Sequence, residues 1–155
     1  MGTHVGGNRR TDWRLGDIHS PLVPFVLRTT GLFFVVFFLI AVPLASTPLA
    51  NEHHSTIGKL GAWGAGGGFE YVVMIAALNI GLGICLAVAA GDPVRYRAAV
   101  DVFLVCESLH MLSMAIMALA PTHHMHLIGD VPLGIGGVAL VALVWLPVRA
   151  QAYAR

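Results

Sequence analysis

Four apolar stretches, at Pro24–Ala45, Phe69–Ala90, Ala98–Ala120 and Val131–Val148, fix the solvent in which this chain folds. Each is close to the ~20 residues with which a helix crosses ~30 Å of hydrocarbon. In lipid every backbone N–H and C=O must be satisfied within its own segment, so each stretch is predicted to be a helix. Charged residues make up only 11% of the chain, against about 25% in a soluble domain. The predicted fold is all-α: a four-transmembrane-helix bundle over residues 21–149, a flexible tail over 1–20 and a short C-terminal tail over 150–155, with both termini cytoplasmic.

The orientation comes from the arginines. Arg9, Arg10, Arg14 and Arg28 precede or open the first span, Arg95 and Arg97 separate spans two and three, and Arg149 and Arg155 close the chain. Lys59 stands alone on the other side. By the positive-inside rule the loops around 46–68 and 121–130 face outward. The first span follows a polar tail of more than twenty residues without a small-residue cleavage site, so it reads as an anchor rather than a signal peptide. Cys85 and Cys106, both inside spans and in no CxxC pattern, read as free buried thiols.

Local punctuation sets the connections. In Gly91-Asp92-Pro93 the glycine suits a helix C′ position, the aspartate an N-cap and the proline a first helical turn, which predicts a tight antiparallel hairpin. Gly129-Asp130-Val131-Pro132 repeats the device, with Asp130 as N-cap. Pro43 and Pro48 bend or end the first span. Gly134, Gly136, Gly137 and Ala139 in span four, and Ala77 with Gly81 in span two, allow close helix approach. The glycine-rich run 61–68 reads as linker, since it lacks the strand-to-helix setting of a phosphate loop.

Into the spans the chain places Glu70, Glu107 and His110. A charged group at the bilayer centre costs at least ~2.5–3.5 kcal/mol, so such residues face the bundle interior or a wet cavity. Aligning spans two and three on the 91–93 turn puts Glu70 level with Met114, about 6 Å above His110. Glu107 lies on the face of His110 by i,i+3 spacing. The expected pocket has Glu107 and His110 as floor, Glu70 as a wall, and His123, His124, His126 and Asp130 at its mouth. Glu52, His53 and His54 can cover it from the other loop. Five of the eight histidines fall in these two loops.

Mixed imidazole and carboxylate ligands suit zinc, copper or iron. The rival reading of Glu107 and His110 is a pair of polar residues that hold helices together. Glu-x-x-His also occurs in di-iron bundles, but there on two helices. Met111, Met114 and Met117, with Met125 beyond, add thioethers that suit copper, although flexible core filling accounts for them better. The loop histidines can also act as a pH sensor. Asn79 lies half a turn of the helical wheel from Glu70 and is placed outside the pocket, against a neighbouring helix.

Three stretches together carry a resemblance: Glu70-Tyr71; Gly91-Asp-Pro-Val-Arg-Tyr-Arg97 leading into Ser108-Leu-His110; and His126-Leu-Ile-Gly-Asp-Val-Pro132. Over residues 69–148 the chain resembles a bacterial family of small four-helix membrane proteins of unknown function. The resemblance implies that Glu70, His110, His126 and Asp130 form one constellation in a bacterial inner membrane. It implies no activity or cofactor.

The leading expectation is an outward-facing site for a transition metal or a small polar ligand. Glu70, His110 and His126 are its contacts, Glu107 supports them, and Asp130 orients His126 or caps span four. An accessory subunit of a larger membrane complex, a homo-oligomer, and a proton- or copper-conducting transporter are the alternatives. No Ser/His/Asp pattern, HExxH, P-loop or CxxCH points to an enzyme, and no basic groove interleaved with aromatics points to nucleic acid.

Overall fold

A computed structural model of the chain describes residues 13–46 and 68–154. The described residues form four long α-helices: α1, Leu22–Ala45; α2, Gly68–Ala89; α3, Arg97–Met117; and α4, Asp130–Tyr153. A short 3-10 helix, Pro121–Leu127, joins α3 to α4. All four long helices are long and apolar enough to cross a membrane, as expected of a multi-pass protein. Large apolar side chains such as Leu39, Met74, Leu109 and Leu140 point outward, where lipid is their solvent. His53, His54, Glu52, Lys59 and the run 61–67 lie outside the described residues.

The helices run antiparallel in sequence order. One end of the bundle gathers the start of α1, the α2–α3 turn and the end of α4, and with them Arg14, Arg95, Arg97 and Arg149; it is called the arginine end below. The opposite, histidine end carries the 3-10 helix. In the α2–α3 connection, Asp92 Oδ1 accepts the backbone N–H of Arg95 at 3.0 Å, which closes the turn over 93–96; α3 itself starts at Arg97, with Tyr96 rather than Asp92 as its N-cap residue. Gly91 does not adopt the left-handed conformation expected of a C′ glycine; among the described residues Gly16 alone does, with φ 84°. The chain instead leaves α2 through successive tight turns, Gly91 N–H donating to Val88 O and Asp92 N–H to Ala89 O.

The larger core lies toward the arginine end, where Leu27, Leu86, Phe103, Val141, Trp145 and Val148 interlock. The end of the N-terminal segment is folded onto it. Ile18 and Ser20 are buried, Gln151 Nε2 donates to Gly16 O at 2.9 Å, and the Ile18 N–H donates to Gln151 Oε1 at 3.4 Å. α4 thus continues as a helix past Pro147 to Tyr153, through most of the segment expected to be a tail.

Close approach of α1 and α2 occurs at a glycine pair that the small-residue pattern did not single out. A Cβ on Gly31 would sit 2.5 Å from Gly83 O and 2.8 Å from Ala87 N. Gly81 and Gly136, by contrast, face open space, and Ala77 is exposed. Of the other three expected contacts, Gly134 lies against the Met111 sulfur and Gly137 against the Phe34 ring, while Ala139 is exposed. Cys85 is exposed and Cys106 half-buried, so the thiols are free but not deeply buried.

Candidate functional site

On α3, residues three apart share a face, and here that face turns inward. Glu107 is fully buried, and its Oε2 lies 3.2 Å from His110 Nδ1. With an ionised Glu107 and a neutral imidazole the carboxylate accepts, so the ring proton is on Nδ1 and Nε2 keeps its lone pair. His110 Nε2 and Glu107 Oε1 are both buried without a hydrogen-bond partner among the described residues.

A second carboxylate–imidazole pair forms where the 3-10 helix meets α4. His126, fully buried, approaches both carboxylate oxygens of Asp130 through Nδ1, at 3.0 and 3.1 Å. Asp130 Oδ1 also accepts the Val131 N–H at 3.0 Å. Asp130 is the first residue of α4 rather than the residue before it, and its side chain serves both the helix start and His126. His123 packs its ring against that of His126, centroids 6.0 Å apart. The exposed His124 donates from Nε2 to Leu119 O at 2.9 Å, which ties the 3-10 helix back to the end of α3.

A cavity of about 510 Å³ opens between the helices at this end. Phe33, Phe34, Phe37 and Phe38 supply its α1 wall, and Met111 and Met114 line it from α3. Its polar groups are Tyr71, Asn79, His110 and Asp130. Tyr71 OH points to Met114 Sδ at 3.7 Å, within one residue of the register expected from the α2–α3 turn. Met111 and Met114 are buried and Met117 is exposed, as suits side chains that fill a core.

Glu70 does not line the cavity; it is exposed. The half-turn relation to Asn79 holds, but the faces are reversed: Asn79 is fully buried and lines the cavity from α2. Its Nδ2 donates to Ile75 O at 2.9 Å, and its Oδ1 is buried without a partner among the described residues. Among the described residues, no group of three or more His, Cys, Asp and Glu is gathered so as to hold a metal ion.

A further polar cluster, absent from the expected site, joins α3 to α4 at the arginine end. Asp101 Oδ1 accepts from Trp145 Nε1 at 2.8 Å and from Arg149 Nε at 2.9 Å. Its Oδ2 accepts from Tyr153 OH at 2.7 Å and Arg149 Nε at 3.0 Å. The guanidinium groups of Arg97 and Arg149 both lie over the Tyr153 ring, 4.9 and 5.0 Å from its centroid. No family model, no curated protein and no solved structure matches the chain.

Proposed function

We propose that this multi-pass membrane protein holds a small ligand in the cavity at its histidine end, with His110 Nε2 as the contact atom. Glu107 orients the imidazole from Nδ1, and Tyr71, Asn79 and Asp130 supply the remaining polar surface. The observation that carries the reading is His110 itself. One ring nitrogen is held by a buried carboxylate, the other is buried without a partner among the described residues, and the ring lines a 510 Å³ cavity. Such a group inside apolar helices is costly unless something binds it. The distribution of arginines supports an arginine end that faces the cytoplasm and a site that opens outward; the membrane proposed for it is the inner membrane of a bacterium.

A second reading, a transition metal such as zinc, copper or iron, is favoured by one feature. Metal-bound imidazoles usually donate their other N–H to a carboxylate, and both His110 and His126 are held in that way. Elemental analysis and solvent extraction of gently purified protein, wild type beside His110→Ala, test both readings. A metal or small molecule near one per chain that is lost from the variant is the expected result. Identical contents in the two proteins, with a changed set of co-purifying subunits, would overturn the binding site in favour of an accessory subunit.

A further inference from the structure

The cavity also specifies the chemistry of its occupant, and this step rests on the binding site proposed above. Most of its polar atoms are already engaged. Tyr71 OH is directed at Met114 Sδ, and Asn79 Nδ2 spends one of its two hydrogens on Ile75 O. The Asp130 carboxylate takes the Val131 N–H and His126 Nδ1. What remains without a partner among the described residues is His110 Nε2 and Asn79 Oδ1. With the ring proton on the Glu107 side, both are acceptors.

The rest of the wall is apolar and, along α1, aromatic. The volume of about 510 Å³ falls within the ~300–1,000 Å³ of pockets for organic ligands, and a water molecule occupies only about 30 Å³ of liquid. The Tyr71–Met114 contact fixes the register of α2 on α3. By it Asn79 lies about one helical turn, ~6 Å, deeper than His110. A bare ion would leave most of this space empty, and a molecule with only acceptors would leave both protein acceptors unpaired, which is strongly disfavoured in a buried site.

We infer that the cavity binds a lipophilic phenol or alcohol whose hydroxyl donates to His110 Nε2 or Asn79 Oδ1 while its apolar body lies against the α1 phenylalanines. The test uses the full chain in lipid nanodiscs, para-decylphenol as probe and its methyl ether, para-decylanisole, as control, each at the same mole fraction in the bilayer. Native mass spectrometry counts the bound probe. The phenol is expected to exceed the ether by about tenfold, roughly one good hydrogen bond in affinity. Asn79→Leu is expected to shrink that preference, and Ala41→Trp, at an α1 residue that also lines the cavity, to fill the space and remove both probes.

Equal binding of phenol and ether, still lost in Ala41→Trp, would overturn the hydroxyl requirement and leave the cavity site standing. Binding of zinc to wild type but not to His110→Ala, with neither probe retained, would overturn this inference in favour of the metal reading. Failure of all three probes would overturn the site as well.

Discussion

At the arginine end, Asp101 accepts from Trp145, Arg149 and Tyr153 and uses both carboxylate oxygens. At the histidine end, Glu107 meets only His110, and its Oε1 stays buried without a partner among the described residues. Both acids stand on α3, fewer than two turns apart, and the more deeply buried of the two is the one less well satisfied: Glu107 is 0% exposed and Asp101 19%. Buried polar groups in folded proteins are almost always paired. Asp101 therefore reads as a clamp between α3 and α4, whereas Glu107 belongs to the ligand site proposed above. Packing follows the same division. The larger core lies toward the arginine end and reaches the cavity through Phe34, while Met111, Met114, Ala118 and Val131 form a second, smaller cluster among the described residues. One end holds the fold, while the other keeps open space and unsatisfied atoms, a combination common where function sets the residues.

The largest effect that would break this comparison belongs to Gly31. Both atoms that a Cβ would meet, Gly83 O and Ala87 N, are backbone, so no side-chain rotation relieves the clash. Gly31→Leu is expected to cost about 3 kcal/mol or more, read as a lowered midpoint of denaturant unfolding in mixed micelles. Gly136→Leu, facing open space, is expected to stay within about 0.5 kcal/mol of wild type. Near-wild-type stability of Gly31→Leu would mean that α1 and α2 do not cross closely, and that the arginine end is not the rigid half.

The two acids provide the next effect. Asp101→Leu leaves the buried Trp145 N–H without its acceptor and is expected to destabilise by about 2–3 kcal/mol. The double substitution Glu107→Leu/His110→Leu removes both partners of a buried pair and replaces them with apolar groups. Such exchanges are often neutral or stabilising, so stability is expected within about 1 kcal/mol of wild type or above it, with ligand binding lost. If the double variant is as damaged as Asp101→Leu, Glu107 and His110 are a second clamp, and the proposed site loses its support.

The spans were legible in the sequence because length and hydropathy alone define them in lipid, and the α2–α3 register because the connection around Asp92 is short and built of tight turns. The inward face of α2 was not legible. That helix is apolar all round, so no stripe of hydrophobicity marks the side that meets protein, and the acidic residue stood out more than Asn79. Asp101 went unnoticed for a related reason: its partners Trp145, Arg149 and Tyr153 lie more than forty residues away in sequence, and nothing local reports which helix neighbours α3. The Gly31–Gly83 crossing is likewise a property of two helices together. The pair Glu107–His110, by contrast, was legible because i,i+3 spacing within one helix needs no tertiary knowledge.

The smallest expected effect tests the face of α2 that the sequence left open. Glu70 is exposed and has no partner among the described residues, so Glu70→Gln should change unfolding stability by no more than about 0.5 kcal/mol. It should also leave the phenol preference intact, because a group off the cavity wall gives the ligand nothing to lose. Asn79→Leu, nine residues on and about 180° round the helix, should show the opposite pattern in the same binding measurement. The two substitutions together report a rotation. If Glu70→Gln abolished binding while Asn79→Leu did not, α2 would have to sit about half a turn from its place in this bundle. Tyr71 would then leave Met114, Gly83 would leave Gly31, and the cavity would be walled by the acid rather than the amide. Because the Gly31–Gly83 approach and the Asn79 face belong to one rigid helix, that outcome would have to appear together with tolerance of Gly31→Leu, so the smallest effect and the largest check one another.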